Sequence, residues 1–314
     1  MYFSHARTAF KYGLIKLGFE AGDKILIPNY ICDALLQPIR QLSLVPVYFP
    51  VNDLLEPCWD ELDILVKANS CRAIVMVHYF GQPQNIDTYK IFCKANELLL
   101  LEDNAHGFGG AISGKLLGTF GDLGICSPRK MLNTLSGGIL YINGVVQEPP
   151  PLPAYQASYL QKFLKSSFNR YPNLKTFALR LTRGLPNFND PNIFIEPYVL
   201  DQIADTSSVR SISNALEYFS VEKIAQERRK KWDTWSNICS YIGLKPIFNK
   251  VHPNSAPWAF PVYAQSEFQR MEIGKIAEKK GLIIFPWPAL PKELLYTDSI
   301  SVKRWSSIIS IPLF

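Results

Sequence analysis

Short apolar runs alternate with amphipathic helical patterns along the first third of the chain, and this alternation constrains the fold most strongly. The runs are KILIP (24–28), LVPVYF (44–49), CRAIVMVHYF (71–80) and LLLLED (98–103). Segments of about a dozen residues with apolar side chains at helical spacing separate them. Strands that alternate with helices are joined by right-handed crossovers into a mainly parallel sheet. The sequence therefore predicts a three-layer α/β/α domain.

The alternation stops at QEPPPLP (147–153), where four prolines exclude a helix or a central strand. We expect a large domain over residues 1–205, with a proline-rich excursion near 147–153 and a helical insert over 154–205. A smaller α+β domain is expected over 206–314. It would contain one long amphipathic helix (211–240) and then a strand, a helix and a strand in PWAFPVYA, SEFQRMEIGKIAEKKG and LIIFPWP.

Composition excludes several classes of function. The 33 Lys and Arg residues outnumber the 27 Asp and Glu residues only slightly, which argues against a nucleic-acid-binding surface. The six cysteines form no C-x-x-C pair, so we predict reduced thiols in a cytoplasmic protein and no metal site. The apolar segments are too short to span a bilayer, and we expect no association with a membrane.

Polar residues that directly follow the apolar runs are candidate site residues, because parallel sheets bind ligands beyond the carboxyl ends of their strands. They are Asn29-Tyr30, His78-Tyr79 and the segment from Glu102 to His106. Asp103 has two interpretations. It is a helix N-cap, or it is a buried carboxylate that requires a cationic partner.

Lys130, in CSPRKMLNTLSGG (126–138), also has two interpretations. A single lysine in a loop is usually a solvated surface charge. However, Lys130 follows an apolar strand, Ser127 lies three residues earlier, and Gly137-Gly138 permits a close approach of the chain. A lysine with a depressed pKa in such a crevice is the residue type that forms a Schiff base with a carbonyl cofactor.

Two other motifs are rejected. GGAISGK (109–115) has the spacing of a phosphate-binding loop, but Leu116 replaces the Ser or Thr that would bind magnesium, so we interpret it as a glycine-rich turn. No G-x-S-x-G motif or recognisable histidine triad indicates a hydrolase.

The order of these motifs resembles the DegT/DnrJ/EryC1/StrS sugar aminotransferases, which are pyridoxal-phosphate enzymes of fold type I. ARTAF resembles the loop that opens the family's first helix, and VHYFGQPQNID resembles its His-x-x-Gly-x-Pro strand end. LLLLEDNAHGFGGAISGKLLGTFGDLGICS resembles the Glu-Asp signature, glycine turn and Gly-Asp strand. SPRKMLNTLSGG resembles the segment that carries the cofactor lysine.

The resemblance implies a role for each candidate residue. Lys130 would form the Schiff base with pyridoxal 5'-phosphate, Asp103 would pair with its pyridinium nitrogen, and His106 would lie near its phenolic oxygen. The other implied contacts are ring stacking by Tyr30 and a phosphate cup formed by Ser127, Arg7 and Thr8.

The implied activity is transamination of a keto-sugar, expected to be nucleotide-linked, with an amino-acid donor, in polysaccharide or amino-sugar biosynthesis. The resemblance also implies a homodimer with shared active sites. Two alternatives remain open: a pyridoxal-phosphate-dependent sugar dehydratase, and a non-catalytic relative that acts as a binding module. Retention of Lys130 favours transamination, because the dehydratase variant of the family replaces this lysine.

Overall fold

The computed structural model describes residues 2–132, 134–157, 204–208, 211–280, 282, 284–285, 287, 289–297 and 299–313. In this part of the chain the strands are β1 Tyr2–Phe3, β2 Lys24–Pro28, β3 Val45–Phe49, β4 Cys71–Val77, β5 Leu99–Asn104, β6 Ala111–Ile112, β7 Lys115–Leu116, β8 Leu123–Cys126, β9 Ile139–Ile142, β10 Val145–Gln147, β11 Ser207–Ser208, β12 Lys245–Pro246, β13 Ala259–Tyr263 and β14 Ile308–Pro312. The helices are α1 Ala6–Lys16, α2 Asp33–Gln41, α3 Trp59–Ala68, α4 Ile86–Ala95, α5 Pro128–Met131, α6 Ser211–Tyr218, α7 Val221–Tyr241, α8 Glu267–Lys279, α9 Lys292–Thr297 and α10 Ser299–Ser307.

A seven-stranded sheet forms the centre of the molecule, in the order β10-β9-β8-β5-β4-β2-β3. The strands from β3 to β8 in this order are parallel to one another. Strand β9 pairs antiparallel with β8, and β10 pairs antiparallel with β9. Ile25, Leu26 and Ile27 are fully buried in succession, as expected of a parallel strand that is covered on both faces. The predicted α/β fold with a mainly parallel sheet is confirmed.

The strand order locates a crevice at one edge of the sheet. The chain passes from β2 outward to β3 and then returns to β4 on the other side of β2. Because crossovers between parallel strands are right-handed as a rule, we expect α2 and α3 on opposite faces and the loops after β2 and β4 to diverge. The carboxyl ends of these two strands therefore border the crevice in which open α/β sheets bind ligands.

The GGAISGK segment forms a hairpin. Strands β6 and β7 pair through a two-residue turn in which Ser113 has φ 49° and Gly114 has φ 79°. Positive φ at both central residues is typical of a type I′ turn. The interpretation of this segment as a glycine-rich turn is confirmed.

The C-terminal part contains a three-stranded antiparallel sheet in the order β12-β13-β14. One prediction for this part was wrong. The expected single helix over 211–240 is divided into α6 and α7, because Ser220 caps α7 by accepting a hydrogen bond from the Lys223 N–H. The strand expected in LIIFPWP (282–288) stays a prediction, because residues 283, 286 and 288 lie outside the described residues. Phe285 makes an isolated bridge to Ser310 in β14, which is the third strand of the small sheet.

The boundary at residues 205 and 206 stays a prediction. Strand β11 pairs with β1, so Ser207 and Ser208 contact the first residues of the large domain. Most of the expected helical insert over 154–205 lies outside the described residues. None of the helices described is both long and apolar enough to cross a bilayer.

Gly138 lies directly against the segment that opens α1. Phe3 and Gly138 exchange backbone hydrogen bonds of 3.0 and 2.7 Å, and the Gly137 N–H donates to the Ser4 carbonyl at 2.6 Å. A Cβ atom on Gly138 would lie 2.3 Å from the carbonyl carbon of His5 and 2.6 Å from the nitrogen of Ala6. The close approach expected from the glycine pair is therefore an approach to the loop that precedes the first helix.

We expect Gly138→Ala to destabilise the protein by about 3 kcal/mol, because the clashing atoms belong to the backbone and cannot move independently. Gly243→Ala is the control: its Cβ meets nothing within 4 Å, and its φ of +69° predicts a loss of only about 1 kcal/mol. Urea denaturation of both variants measures the difference. Equal losses would contradict the assigned role of Gly138.

Candidate active site

A cavity opens at the carboxyl edge of the parallel strands, at the crevice that the strand order predicts. Together with its mouth it encloses about 600 Å³. Its lining comes from the start of α1, the loops after β2, β4, β5 and β8, helix α5 and the C-terminal part. The lining residues are His5, Ala6, Arg7, Cys32, Ala34, Leu35, Val77, His78, Asp103, Ala105, His106, Ile125, Ser127, Arg129, Lys130 and Trp287.

Glu102 organises the strand end from which the site is built. Its carboxylate accepts hydrogen bonds from the backbone N–H groups of Gly118 (2.6 Å), Phe120 (2.6 Å) and Gly121 (3.0 Å). It also accepts one from His78 Nε2 at 2.8 Å. Burial alone would raise the pKa of Glu102, but these hydrogen bonds outweigh it and hold the pKa below its usual value. The Glu-Asp signature is thus in direct contact with the turn over residues 118–121, which leads into β8.

The tautomer of His78 follows from its neighbours. The Gln84 N–H donates to His78 Nδ1 at 3.1 Å, so this nitrogen carries no proton. The proton is therefore on Nε2, which donates it to Glu102. His78 is fully buried and lies beside Asp103 in the cavity wall.

Asp103 lies at the cavity end of β5. Its Oδ1 atom accepts a hydrogen bond from the Ala105 N–H at 2.9 Å. Burial raises the pKa of Asp103, against the opposing effects of this hydrogen bond, Lys130 and His78. A carboxylate in this state is stabilised by any cation that enters the cavity, which fits a protonated ring nitrogen.

Lys130 extends from the short helix α5 into the same cavity. Its Nζ atom lies 4.8 Å from the centroid of the Trp258 ring. Burial, Arg129 and Arg7 lower the pKa of Lys130 to about 8, although Cys32 and Asp103 act in the opposite direction. The amine is therefore partly unprotonated near neutral pH, as a nucleophilic lysine must be.

His106 is held as a neutral hydrogen-bond donor. Its Nδ1 atom accepts the Phe80 N–H at 3.3 Å, which leaves the proton on Nε2. Its ring lies 4.3 Å from that of Trp258 and 4.6 Å from that of Trp287. Burial, with a smaller contribution from Lys130, lowers the pKa of His106 well below its usual value.

Positive charge and the first backbone N–H groups of the helix gather at the start of α1. The first helical hydrogen bond runs from the Ala9 N–H to the His5 carbonyl, so the preceding N–H groups have no acceptor within the helix. Arg7 and Arg129 line the cavity there, and Arg129 Nε is buried without a hydrogen-bond partner in the described part of the chain. Burial and these two arginines lower the pKa of His5 to about 3, so His5 is neutral. This corner is suited to a phosphate group.

The cavity brings together Lys130, Asp103, His106, Ser127 and Arg7. The Ser127 side chain makes no capping hydrogen bond to α5, and it is buried at the cavity wall. The Thr8 side chain is buried within α1 and does not line the cavity, so its possible contribution is its backbone N–H.

Tyr30 is fully buried and is not among the residues that line the cavity, so its stacking on a cofactor ring stays a prediction. The backbone bends at Tyr30, whose hydroxyl donates to the Trp287 carbonyl and whose ring packs 5.6 Å from the Trp287 ring. Cys32 lines the cavity in its place.

His5, Arg129 and Trp287 also line the cavity and were not predicted from the sequence. Proximity to Lys130 in the sequence is a signal for Arg129. Trp287 is more than 150 residues from Lys130, and no local pattern links the two.

Comparison with known proteins finds a family match in the N-terminal part. Residues 3–145 match the model of the DegT/DnrJ/EryC1/StrS aminotransferase family. The match covers a little under half of the chain. Its relatives include the GDP-perosamine synthase of Escherichia coli O157:H7, which is 27% identical over 143 residues, or 45% of this chain and 39% of that protein. A Saccharopolyspora spinosa protein named dTDP-4-dehydro-2,6-dideoxy-D-glucose 3-dehydratase is 32% identical over 134 residues, or 42% of this chain and 28% of that protein.

Solved structures extend the likeness to the fold of nearly the whole chain. An aminotransferase of the family from Brucella abortus matches with a TM-score of 0.66 and 16% identity, covering 99% of this chain and 79% of that one. Helicobacter pylori PseC, an aminotransferase involved in pseudoaminic acid biosynthesis, matches with a TM-score of 0.66 and 18% identity, covering 99% and 80%. The fold is that of the fold-type I aminotransferases. The sequence alignments span about two fifths or less of the relatives' length.

We expect Glu102→Gln to lower the free energy of unfolding by about 3 kcal/mol at pH 7, because an amide nitrogen would face backbone N–H donors. A lowered carboxyl pKa contributes stability above the unfolded value of about 4.5 and loses it as the pH falls through the folded-state value. The difference between wild type and variant should therefore shrink below pH 4. Urea denaturation at pH 7 and pH 3 measures it, and a difference independent of pH would contradict the assignment.

Proposed function

We propose that the chain is a pyridoxal-phosphate-dependent aminotransferase that transfers an amino group from an amino-acid donor to a nucleotide-linked keto-sugar. The observation that carries the proposal is the convergence of Lys130, Asp103 and His106 on one cavity with a cationic corner. The family match of residues 3–145 supports the cofactor and the reaction class. Relatives named for GDP-, dTDP- and UDP-linked sugars support the substrate class. The proposed setting is polysaccharide or amino-sugar biosynthesis in the cytoplasm.

The residues present fit the cofactor at both of its ends. The cationic corner, with the first backbone N–H groups of α1, the Arg7 side chain and the Ser127 hydroxyl, would hold its phosphate. The Asp103 carboxylate would hold a proton on its ring nitrogen, which gives Asp103 the cationic partner that a buried acid requires. When bound, pyridoxal phosphate supplies an electron-accepting ring for transamination.

Lys130 and His106 would have different roles in the reaction. The amine of Lys130, with a pKa of about 8, is able to take a proton from the donor's α-carbon and to return one in the second half of the reaction. His106 Nε2 carries a proton and donates a hydrogen bond without taking up charge, which suits a developing negative charge on a phenolic oxygen. Packing of His106 between Trp258 and Trp287 keeps water away from its ring.

The lysine discriminates between the proposed reaction and the dehydratase alternative. The Saccharopolyspora dehydratase shows that dehydratases occur among the relatives. In this chain Lys130 lies in the cavity, has a lowered pKa and faces Asp103 and His106. These features favour proton transfer by a lysine and hence transamination. The same residues argue against a non-catalytic relative, for which no pKa adjustment is required.

We also propose a homodimer with shared active sites. The cavity is partly open at its mouth, and a second subunit that covered the mouth would exclude water from a bound sugar. The basic residues Lys162, Lys165, Arg170 and Arg180 lie outside the described residues and would contribute cationic contacts to the partner's site.

Borohydride reduction with pyridoxal phosphate tests the cofactor lysine. We expect the wild-type protein and Lys115→Ala to retain the label, and Lys130→Ala to lose it and about 10²- to 10⁴-fold in activity. Lys115 is a matched control because it is exposed and lies outside the cavity. Activity is measured first as amino transfer from glutamate to the cofactor, and then with a panel of GDP-, dTDP- and UDP-linked keto-sugars. A labelled Lys130→Ala variant would contradict the assignment.

Sedimentation and subunit mixing test the shared sites. We expect a dimer at low protein concentration. We also expect partial activity when Lys130→Ala subunits are mixed with subunits in which Lys162, Lys165, Arg170 and Arg180 are all changed to Ala, because one of the two hybrid sites keeps both sets of residues. Each variant mixed with itself is the control. A catalytically active monomer, or hybrids without activity, would contradict the proposal.

A further inference from the structure

Arg228 is a buried cation on α7, outside the lining of the cavity. Its side chain is only 4% exposed. Burial lowers the pKa of Arg228 to about 10, which leaves the guanidinium charged at neutral pH. Within the described ranges, no carboxylate forms an ion pair with it. Its charge is instead balanced by backbone carbonyl groups.

These carbonyl groups belong to two segments that are distant in sequence. Nη2 donates to the carbonyls of Lys130 at 3.1 Å and Met131 at 3.4 Å, at the end of α5. Nη1 donates to the Pro257 carbonyl at 3.2 Å. The last carbonyl groups of a helix receive no hydrogen bond from within the helix, so they are available to the guanidinium group. Because this group is planar and carries several N–H donors, it is able to reach both segments at once. One side chain therefore joins the backbone of the site lysine to the backbone that precedes Trp258.

The two segments that Arg228 joins carry Lys130 and Trp258, whose side chains contact each other. Lys130 Nζ lies 4.8 Å from the Trp258 ring centroid, and the same ring packs 4.3 Å from that of His106. The backbone N–H of Trp258 also donates a hydrogen bond to the Phe80 carbonyl at 2.9 Å. Arg228 thus supports the contact from the backbone of both residues.

We propose that Arg228 is a positioning residue, which holds the Lys130 main chain and the Trp258 loop in register and thereby sets where the lysine amine lies against the indole ring. A buried charge with only neutral acceptors is expensive, and an apolar side chain of similar volume would pack at lower cost. The need to hold the Lys130 amine in position against the indole ring explains why a charged residue, Arg228, is buried here. The catalytic consequence rests on the proposed function, but the positioning itself does not.

The neighbouring Arg229 provides a matched control. It lies on the same helix, donates to the Ser255 carbonyl at 2.5 Å and pairs with Glu222 at 2.9 Å. Arg229 thus anchors the start of the loop that carries Trp258 but makes no contact with Lys130. Comparison of the two arginines separates a general loss of loop anchoring from a specific effect on the lysine.

The experiment measures the Lys130 amine in the cofactor-free protein. Trace labelling with fluorodinitrobenzene between pH 6 and pH 10, followed by peptide mass spectrometry, reports its pKa, with Lys115 as the internal standard. The charged and titratable groups that affect Lys130 are Cys32, Arg129, Asp103 and Arg7, and all four are unchanged in the variants.

We expect Arg228→Ala to raise the pKa of Lys130 from about 8 by about one unit, because the amine moves away from the ring and toward water. Arg228→Lys, which keeps the charge but cannot bridge both segments, should shift it less in the same direction. Arg229→Ala should leave it unchanged. When pyridoxal phosphate is bound, the pH at which its visible absorbance band titrates should also shift. The shift should be largest in Arg228→Ala, smaller in Arg228→Lys and absent in Arg229→Ala.

Two results would overturn the proposal. The first is a labelling profile of Arg228→Ala identical to that of wild type, or, if that variant does not fold, an unshifted profile of Arg228→Lys. The second is an equal shift in Arg229→Ala. If the wild-type protein binds no pyridoxal phosphate, the proposed function fails, and the labelling still decides the role of Arg228.

Discussion

The hydrogen bonds to the Glu102 carboxylate are the interaction on which the site depends. They join the end of β5 to the turn over residues 118–121 and to His78 after β4. An ionised carboxylate in the protein interior is stable only when such donors surround it. Because Asp103 is the next residue on the strand, its direction into the cavity is set by the same network. Asp122 completes the arrangement by accepting the Leu100 N–H at 2.7 Å.

The electrostatics of the cavity follow from an excess of cations over carboxylates. Arg7, Arg129 and Lys130 face one another across a small volume, while Asp103 is the acid among the cavity-lining residues. Burial together with mutual repulsion keeps His5 neutral and makes Lys130 easier to deprotonate. An anion at the start of α1 and a cation at Asp103 would each relieve part of this imbalance. The site is therefore complementary to a ligand that carries negative charge at one end and a protonated nitrogen at the other.

The C-terminal part supplies support that the parallel sheet cannot. Trp258 and Trp287 enclose His106, and the Trp287 carbonyl accepts the Tyr30 hydroxyl. Gly81 allows this arrangement, because a Cβ atom there would lie 2.7 Å from the Ala256 carbonyl oxygen and 2.9 Å from that of His106. The lysine and the acid belong to the first half of the chain, and their surroundings are shaped by the second.

The sequence by itself determined the parallel sheet and the edge at which the cavity lies, because hydrophobic periodicity and the ends of apolar runs are local properties. Five of the candidate residues that it indicated, Lys130, Asp103, His106, Ser127 and Arg7, line one cavity, and their roles stay predictions. The tertiary structure decided that Cys32 and not Tyr30 faces the cavity. It also decided that Ser220 caps a second helix, α7, and that β14 is the third strand of the small sheet. It also decided that Trp258, Trp287 and Arg228 surround the lysine. Their positions depend on packing between segments about 100 or more residues apart, and that packing leaves no periodic trace in the sequence.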